Sequence, residues 1–380
     1  LKQFNYNNIF RYYITELIAA SKSGNYAHAD VIVGYFNSIQ QQSKAAALLP
    51  SPKMIDLEIY YNEAKIFETL RNVYGLLSIV LLVLGFTENF KAKKSRVNAI
   101  LINVFAGFLG IAFLYHTFGL ALRWYLTGHA PWSNGYEALV FISWGGLLAG
   151  FSFMRYSKIT LAATAILAFS ILMTAGHSSY DPQLTNLQPV LKSYWLVIHV
   201  AVLTISYGFL GLAFIIGIIN IILNALKNNR NEQRLSLVIH ELTCINEMNI
   251  TIGLMLATIG TFLGGVWANE SWGRYWGWDA KETWALIIVI TYSIVLHLRL
   301  VPKLKGDYIF NVASILAFGS VLMTFIGVNY YLSKGMHSYA AGDTPVFPLW
   351  AWVSIGALFG LIFYSGQKSG ALRKHNNHLN

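Results

Sequence analysis

From residue 72 onward the chain alternates between long apolar runs and short polar ones. A helix needs roughly 20 predominantly apolar residues to cross the hydrocarbon core of a bilayer. Nine stretches without Asp, Glu, Lys or Arg approach that length, at about 72–87, 97–122, 138–154, 159–180, 193–226, 248–269, 283–298, 308–333 and 344–365. They predict an all-α, polytopic membrane bundle of about nine transmembrane helices. The first 71 residues are mixed in polarity. There Leu57, Ile59, Tyr60, Ala64, Phe67 and Leu70 are spaced like one face of an amphipathic helix leading into the membrane. Ser23-Gly24-Asn25 has the composition of a turn, and Leu49-Pro50-Ser51-Pro52 breaks the pattern again. The expected organisation is a small extramembrane helical segment over 1–71, a membrane domain over 72–366 and a tail over 367–380.

Composition points the same way. Of 380 residues, 55% are hydrophobic and 12% charged, a balance that a soluble domain could hardly keep off its surface. A net charge of +10 raises nucleic acid as a partner, but the placement of the 27 Lys and Arg residues has another explanation. Lys91, Lys93, Lys94, Arg96, Arg155, Lys158, Lys227, Arg230, Arg234, Arg299, Lys303, Lys305, Lys368, Arg373 and Lys374 fall in alternate loops. The opposite loops hold only Arg123, Lys192, Arg274, Lys281 and Lys334. The positive-inside bias puts the first set in the cytoplasm and the 1–71 segment outside. That placement accounts for the net charge without nucleic acid as a partner, and no Walker or dinucleotide-type glycine motif occurs, so nothing indicates ATP use. The single cysteine, Cys244, excludes an internal disulfide and is expected to be inert in a cytoplasmic loop. Because the first residue is Leu1, the chain is expected to be a fragment, a processed product or half of a longer polypeptide.

The most informative polar stretch is residues 267–284, which carry Trp267, Trp272, Trp276, Trp278 and Trp284, five of the 11 tryptophans. Tryptophan favours membrane interfaces, but interfacial belts scatter aromatics over many helix ends. Concentration beside glycines suits a flat apolar ligand, with indole faces stacked on a conjugated ring and Arg274 or Lys281 pairing with carboxylates at its edge.

On the charge-based topology His199 lies in the first turns of the fifth span, and His337 follows the eighth span on the same outer side. An iron porphyrin takes two axial ligands on opposite faces, and neutral imidazole is a common donor. Both residues are therefore candidate metal ligands, and Asp279, inside the tryptophan segment, is placed with them among the chemically active residues. His297 lies 13 residues beyond Trp284, roughly 20 Å along a helix at 1.5 Å per residue. It cannot share the outer site and is assigned as ligand of a second, inner one, against an ordinary interfacial role beside Arg299. His129 and His177 also face outward and compete with His199. In 128–137, Ser133 or Asn134 could cap the third span, with Glu137 near its positive end. His116 is expected to pack, and His28, His240, His375 and His378 to be solvated.

At these residues the chain resembles the CcsA (ResC) family, the haem-handling subunit of the type II cytochrome c biogenesis system. That family's signature WWD domain corresponds to 267–284 here. Leu191-Lys192-Ser193-Tyr194-Trp195-Leu196-Val197-Ile198-His199-Val200 and Gly335-Met336-His337-Ser338-Tyr339 resemble the segments bearing its two external histidines. Leu296-His297-Leu298-Arg299 resembles the segment with its transmembrane histidine, and the likeness extends over about 72–363. The resemblance implies that haem b is delivered outward, held by His199 and His337 against the WWD loop, and joined by thioethers to the CxxCH motif of an apocytochrome c. It implies a holocytochrome c synthase (haem lyase) activity in the bacterial inner membrane, with the WWD loop periplasmic and the C-terminus cytoplasmic. It also implies a CcsB (ResB)-type membrane partner, sometimes fused ahead of the chain, that supplies the ligand opposite His297. The Leu start fits the C-terminal part of such a fusion. Two rivals stand beside it: a haem exporter or chaperone that hands haem to a separate ligase, and a membrane scaffold with a tryptophan belt and no chromophore.

Overall fold

The computed structural model describes residues 8–42, 49–90, 95–177, 180–184, 193–332 and 347–377, with no strand among them. Two compact units divide near residue 60. In the first, α1 (Ile9–Ser23) and α2 (Ala27–Gln42) form a helical hairpin. Gly24 closes α1 in the left-handed conformation at φ 73°, and the Asn25 side chain accepts from the Ala27 amide to open α2.

The second unit is the bundle. Its helices are α4 (Ile66–Phe90), α5 (Arg96–Thr127), α6 (Gly135–Phe153), α7 (Ile159–Ala175), α8 (Tyr194–Ala225), α9 (Glu232–Trp272), α10 (Ala280–His297), α11 (Asp307–Leu322) and α13 (Leu349–Asn377). A π-helical turn, Met323–Gly327, and a short α12 (Val328–Tyr330) extend α11. Each of the nine predicted runs has its helix, and eight are long and apolar enough to cross a membrane. The ninth, α7, has 17 residues, about 25 Å at 1.5 Å per residue. It packs against α4, α6 and α8 through fully buried Ala162, Ala163, Ala165 and Ala168. Small side chains of this kind let helices approach closely in a membrane.

Outside the site, the structure departs from the sequence-based expectation in three places. The amphipathic helix expected to run into the first span is broken: α3 (Pro52–Ala64) ends before Lys65, which sits at φ 41°. Beyond the break Phe67 and Leu70 are buried, whereas Ile59 and Tyr60 are exposed. Second, α9 is 41 residues long and begins well before the predicted run at 248. Cys244 and His240 therefore lie on a helix, not in a loop, because polar residues can face outward there without ending it. Third, His240 is not merely solvated, since its Nδ1 lies 2.9 Å from Asp307 Oδ2.

The centre of the bundle is α8, against which α6, α7, α9, α11 and α13 all pack. At one level α6 and α8 touch backbone to backbone: a Cβ added to Gly208 would lie 2.5 Å from the Gly146 amide nitrogen. Further along, an uncharged polar network ties α8, α9 and α11. Asn220 and Asn246 donate to Asn311 Oδ1 at 3.0 and 2.9 Å, and Asn311 donates to Thr243 Oγ1 at 2.8 Å. At the end of the bundle bearing His297, Arg299 meets Glu247 at 3.0 Å and Asp307 at 3.1 Å, joining the chain after α10 to α9 and α11.

Candidate functional site

Helices α8 and α9 run antiparallel, so the start of α8 meets the end of α9. The seam is built on glycine. Side chains added to Gly253 and Gly260 would collide with Leu210 and Leu203, and one added to Gly264 would meet the His199 ring, at 2.5 Å from Cε1 and 2.8 Å from Nδ1. The imidazole thus lies flat against bare backbone. Its Nδ1 donates to the Gly260 carbonyl over 2.6 Å. A nitrogen that donates to a carbonyl carries the proton, which puts the ring lone pair on Nε2, the nitrogen whose chemistry suits a metal. Gly264→Ala is therefore expected to push the ring off this seat and break the Gly260 bond, changing any optical signal that depends on the His199 imidazole while leaving the helices formed. The check is the optical spectrum of the purified variant at matched protein level.

The tryptophan segment arrives at the same level. Gly265, next to Gly264, faces the Tyr275 carbonyl oxygen, which an added Cβ would approach to 3.1 Å. The Ser193 hydroxyl before α8 donates to Glu270 Oε2 over 3.0 Å, closing the two helix ends together. Here the structure corrects the extent of the loop expected over 267–284. Trp267 to Trp272 complete α9, Lys281 to Trp284 belong to the first turns of α10, and only residues 273–279 link them. Tryptophan has no strong bias against helix, so aromatic content did not mark the boundary.

Within the link each motif residue has a mechanical part. Asp279 caps α10, accepting from the Glu282 amide at 2.9 Å, and Glu282 reaches back to the Asp279 and Gly277 amides at 3.4 and 2.6 Å. Gly277 leaves room for the Arg274 guanidinium, on which a Cβ there would fall. That guanidinium also covers the Trp272 ring at 5.7 Å and lies 3.7 Å from Glu282 Oε1. Trp278 adopts the left-handed conformation at φ 57° and is 70% exposed, a position a bulky aromatic occupies only when its surroundings impose it. Within the link, Arg274 Nη1 and Trp276 Nε1 are buried without a hydrogen bond, Nη1 facing only the Glu282 carboxylate at 3.7 Å. Buried donors are normally paired, so the arrangement fits a ligand that brings acceptors and a broad apolar face, as a porphyrin with carboxylate edges does.

Not every expected contact is present. Trp267 is 1% exposed and stands edge-on to Trp272 at 4.8 Å, so it supports the layer from below and offers no face of its own. Trp284 is partly buried, and its carbonyl accepts from Thr324 of the π-turn at 3.3 Å. His337 lies outside the described residues. His297 ends α10, exposed, with Nδ1 donating to the Ser293 carbonyl over 2.7 Å, which again assigns the lone pair to Nε2. His129 is turned onto its own loop, 3.1 Å from the Ala130 carbonyl, and His177 is exposed beyond α7. His116 is fully buried between the Tyr74 hydroxyl at 3.3 Å and the Val140 carbonyl at 3.2 Å, in keeping with packing.

Sequence reasoning missed one group nearby. Arg123, counted above as a loop charge, is 1% exposed on α5 and pairs with Glu137, 0% exposed, at 2.8 Å. The loop between α5 and α6 is anchored to that pair, and Asn134, not Ser133, caps α6. The usable signal was an arginine one residue past an apolar run, 14 positions before a glutamate in a helix's first turn.

Residues 132–337, which include these helices and the tryptophan link, match the family described as Cytochrome C assembly protein. Fold and match together define an integral-membrane protein of cytochrome c assembly. The chain is 43% identical over 310 residues to Protein NrfI of Wolinella succinogenes, covering 80% of this chain and 34% of that protein. Cytochrome c biogenesis protein CcsA of Prochlorococcus marinus is 33% identical over 265 residues, covering 61% of this chain and 83% of its own length. CcsA of Chlamydomonas reinhardtii is 35% identical over 241 residues, with 61% and 67% covered. The chain belongs to the CcsA family and has its role in cytochrome c maturation; it spans about a third of the length of NrfI.

Proposed function

We propose that the chain is the haem-presenting subunit of a cytochrome c synthase, with haem b as its substrate. His199 and His337 hold the haem iron at an external site, and Trp272, Trp276 and Trp278 cover the porphyrin face. Arg274 and Lys281 meet its propionates. Asp279, as the cap of α10, keeps Trp278 in place, while Trp267 and Trp284 anchor the layer to α9 and α11. His297 receives haem inside the membrane, paired with an imidazole from a CcsB-type partner, and its exposure at the end of α10 favours a ligand from outside this chain. By the Lys and Arg distribution the tryptophan end faces away from the cytoplasm.

The observation that carries this reading is the seat of His199. Its imidazole, with the lone pair directed to Nε2 by the Gly260 carbonyl, contacts Gly264 while the tryptophan link contacts Gly265. At such a site each CxxCH thiol adds across a haem vinyl group: the S–H bond breaks, a C–S bond forms, and the proton ends on the adjacent carbon without net redox change. Holding vinyl and thiol together supplies most of the acceleration, and the substrate's own histidine then displaces one axial ligand.

The test is the absorption spectrum of the purified protein, followed by expression with its CcsB-type partner and an apocytochrome. The expected result is a bis-imidazole haem spectrum and covalent cytochrome c without a further ligase. A colourless protein would overturn the reading, and a haem-bearing protein that yields cytochrome only when another ligase is added would favour export.

A further inference from the structure

We propose that Arg123, Glu137 and Trp132 are positioning residues of the external haem site, setting the place of His199 without touching haem. The inference rests on the reading of His199 as an iron ligand.

The Arg123 guanidinium is shared among separate stretches of chain. Its Nε donates to Glu137 Oε1 at 2.8 Å, Nη1 to the Tyr61 hydroxyl at 3.0 Å and the Pro182 carbonyl at 2.8 Å, and Nη2 to the Gln183 carbonyl at 2.8 Å. One branch thus pins 182–183, in the connection between α7 and α8. The other runs through Glu137, whose Oε2 accepts from the Ser133 amide at 2.8 Å and fixes the turn that carries Trp132. Trp132 is seated against Phe141, with ring centroids 4.4 Å apart, and edge-on to Trp124 at 5.5 Å. From that seat its Nε1 donates to the Val197 carbonyl over 3.0 Å.

Val197 precedes His199 by two residues on α8. The Trp132 branch therefore acts directly on the backbone at the beginning of α8, while the other fixes residues 182–183 to the same guanidinium. A charge pair this deeply buried does not slide, because each partner would lose hydrogen bonds that nothing else there replaces. Gly260 and Gly264 seat the ring from the α9 side, and the Arg123 assembly holds the α8 side.

Trp132→Phe tests this directly, since phenylalanine keeps an aromatic ring beside Phe141 and removes the indole donor. The protein is purified with its partner, and its haem spectrum, reduction potential and holocytochrome yield are compared with wild type and with His199→Gly. The expected result is normal accumulation, a shifted potential, an external haem that added imidazole now replaces, and a yield lowered about 10-fold, the scale of losing a partner behind a ligand. Glu137→Gln, which retains an acceptor for Arg123, should shift the spectrum the same way. Wild-type spectrum, potential and yield in Trp132→Phe would overturn the inference, provided His199→Gly changes them. If His199→Gly also leaves them unchanged, the underlying reading of His199 fails instead.

Discussion

Replacing His199 with glycine is expected to abolish the external bis-imidazole haem spectrum and lower holocytochrome formation by at least about 100-fold, the upper end for loss of a group behind a metal ligand. The protein itself should still accumulate. The imidazole sits on bare backbone at Gly264 and donates to the Gly260 carbonyl, so its removal leaves a ring-sized recess between α8 and α9. Free imidazole should enter that recess and restore part of both signals. Rescue distinguishes lost ligation from lost folding, since a misfolded bundle would not respond to a small base. An unchanged spectrum, or labelling that places residues 199 and 337 on opposite membrane faces, would refute the assignment.

The largest stability effect is expected at Arg123→Met. Methionine fills much of the volume but leaves the Glu137 carboxylate, 0% exposed, with no opposing charge, and strips donors from Tyr61, Pro182 and Gln183. Breaking one half of a buried ion pair costs about 3–5 kcal/mol, whereas replacing both halves with apolar groups is often far milder. Arg123→Met with Glu137→Leu should therefore recover much of the loss. Thermal unfolding in detergent, at fixed protein and lipid concentration, checks both variants. A single variant as stable as wild type would mean that the pair is not buried as described.

Much of the fold was legible because a bilayer imposes harsh, local conditions. A span must be long and free of charge, and both properties are visible residue by residue. That is why all nine runs have helices, including α7, which falls short of a full crossing. The errors arose where a neighbour, not the segment, decided the outcome. Arg123 looks like a loop charge because nothing local reveals that Glu137, Tyr61, Pro182 and Gln183 surround it. Lys65 carries no breaker signature, yet its positive φ splits α3 from α4. The α9 boundary was misjudged because Trp267 to Trp272 read as part of an aromatic loop, although nothing in tryptophan forbids one more helical turn.

The residues of the candidate site were legible as a set, and their arrangement was not. A run of five tryptophans among glycines, with histidines at both flanks, pointed to a flat ligand from chemistry alone. The division of labour among them did not follow. Trp267 is buried support, Trp278 is exposed in a left-handed conformation, and Asp279 holds a helix end.

By itself, the sequence determined a charge-poor chain that must become a helical membrane bundle, and it put an indole-rich segment at one end of two helices. It did so because span length and side-chain chemistry are properties of contiguous residues. Only the packed bundle decided that Gly260 and Gly264 would meet His199 across antiparallel α8 and α9, and that Arg123 would be enclosed by carbonyls and a carboxylate. Those contacts join residues 61 and 14 positions apart, and their energies exist only once the helices have excluded every other partner.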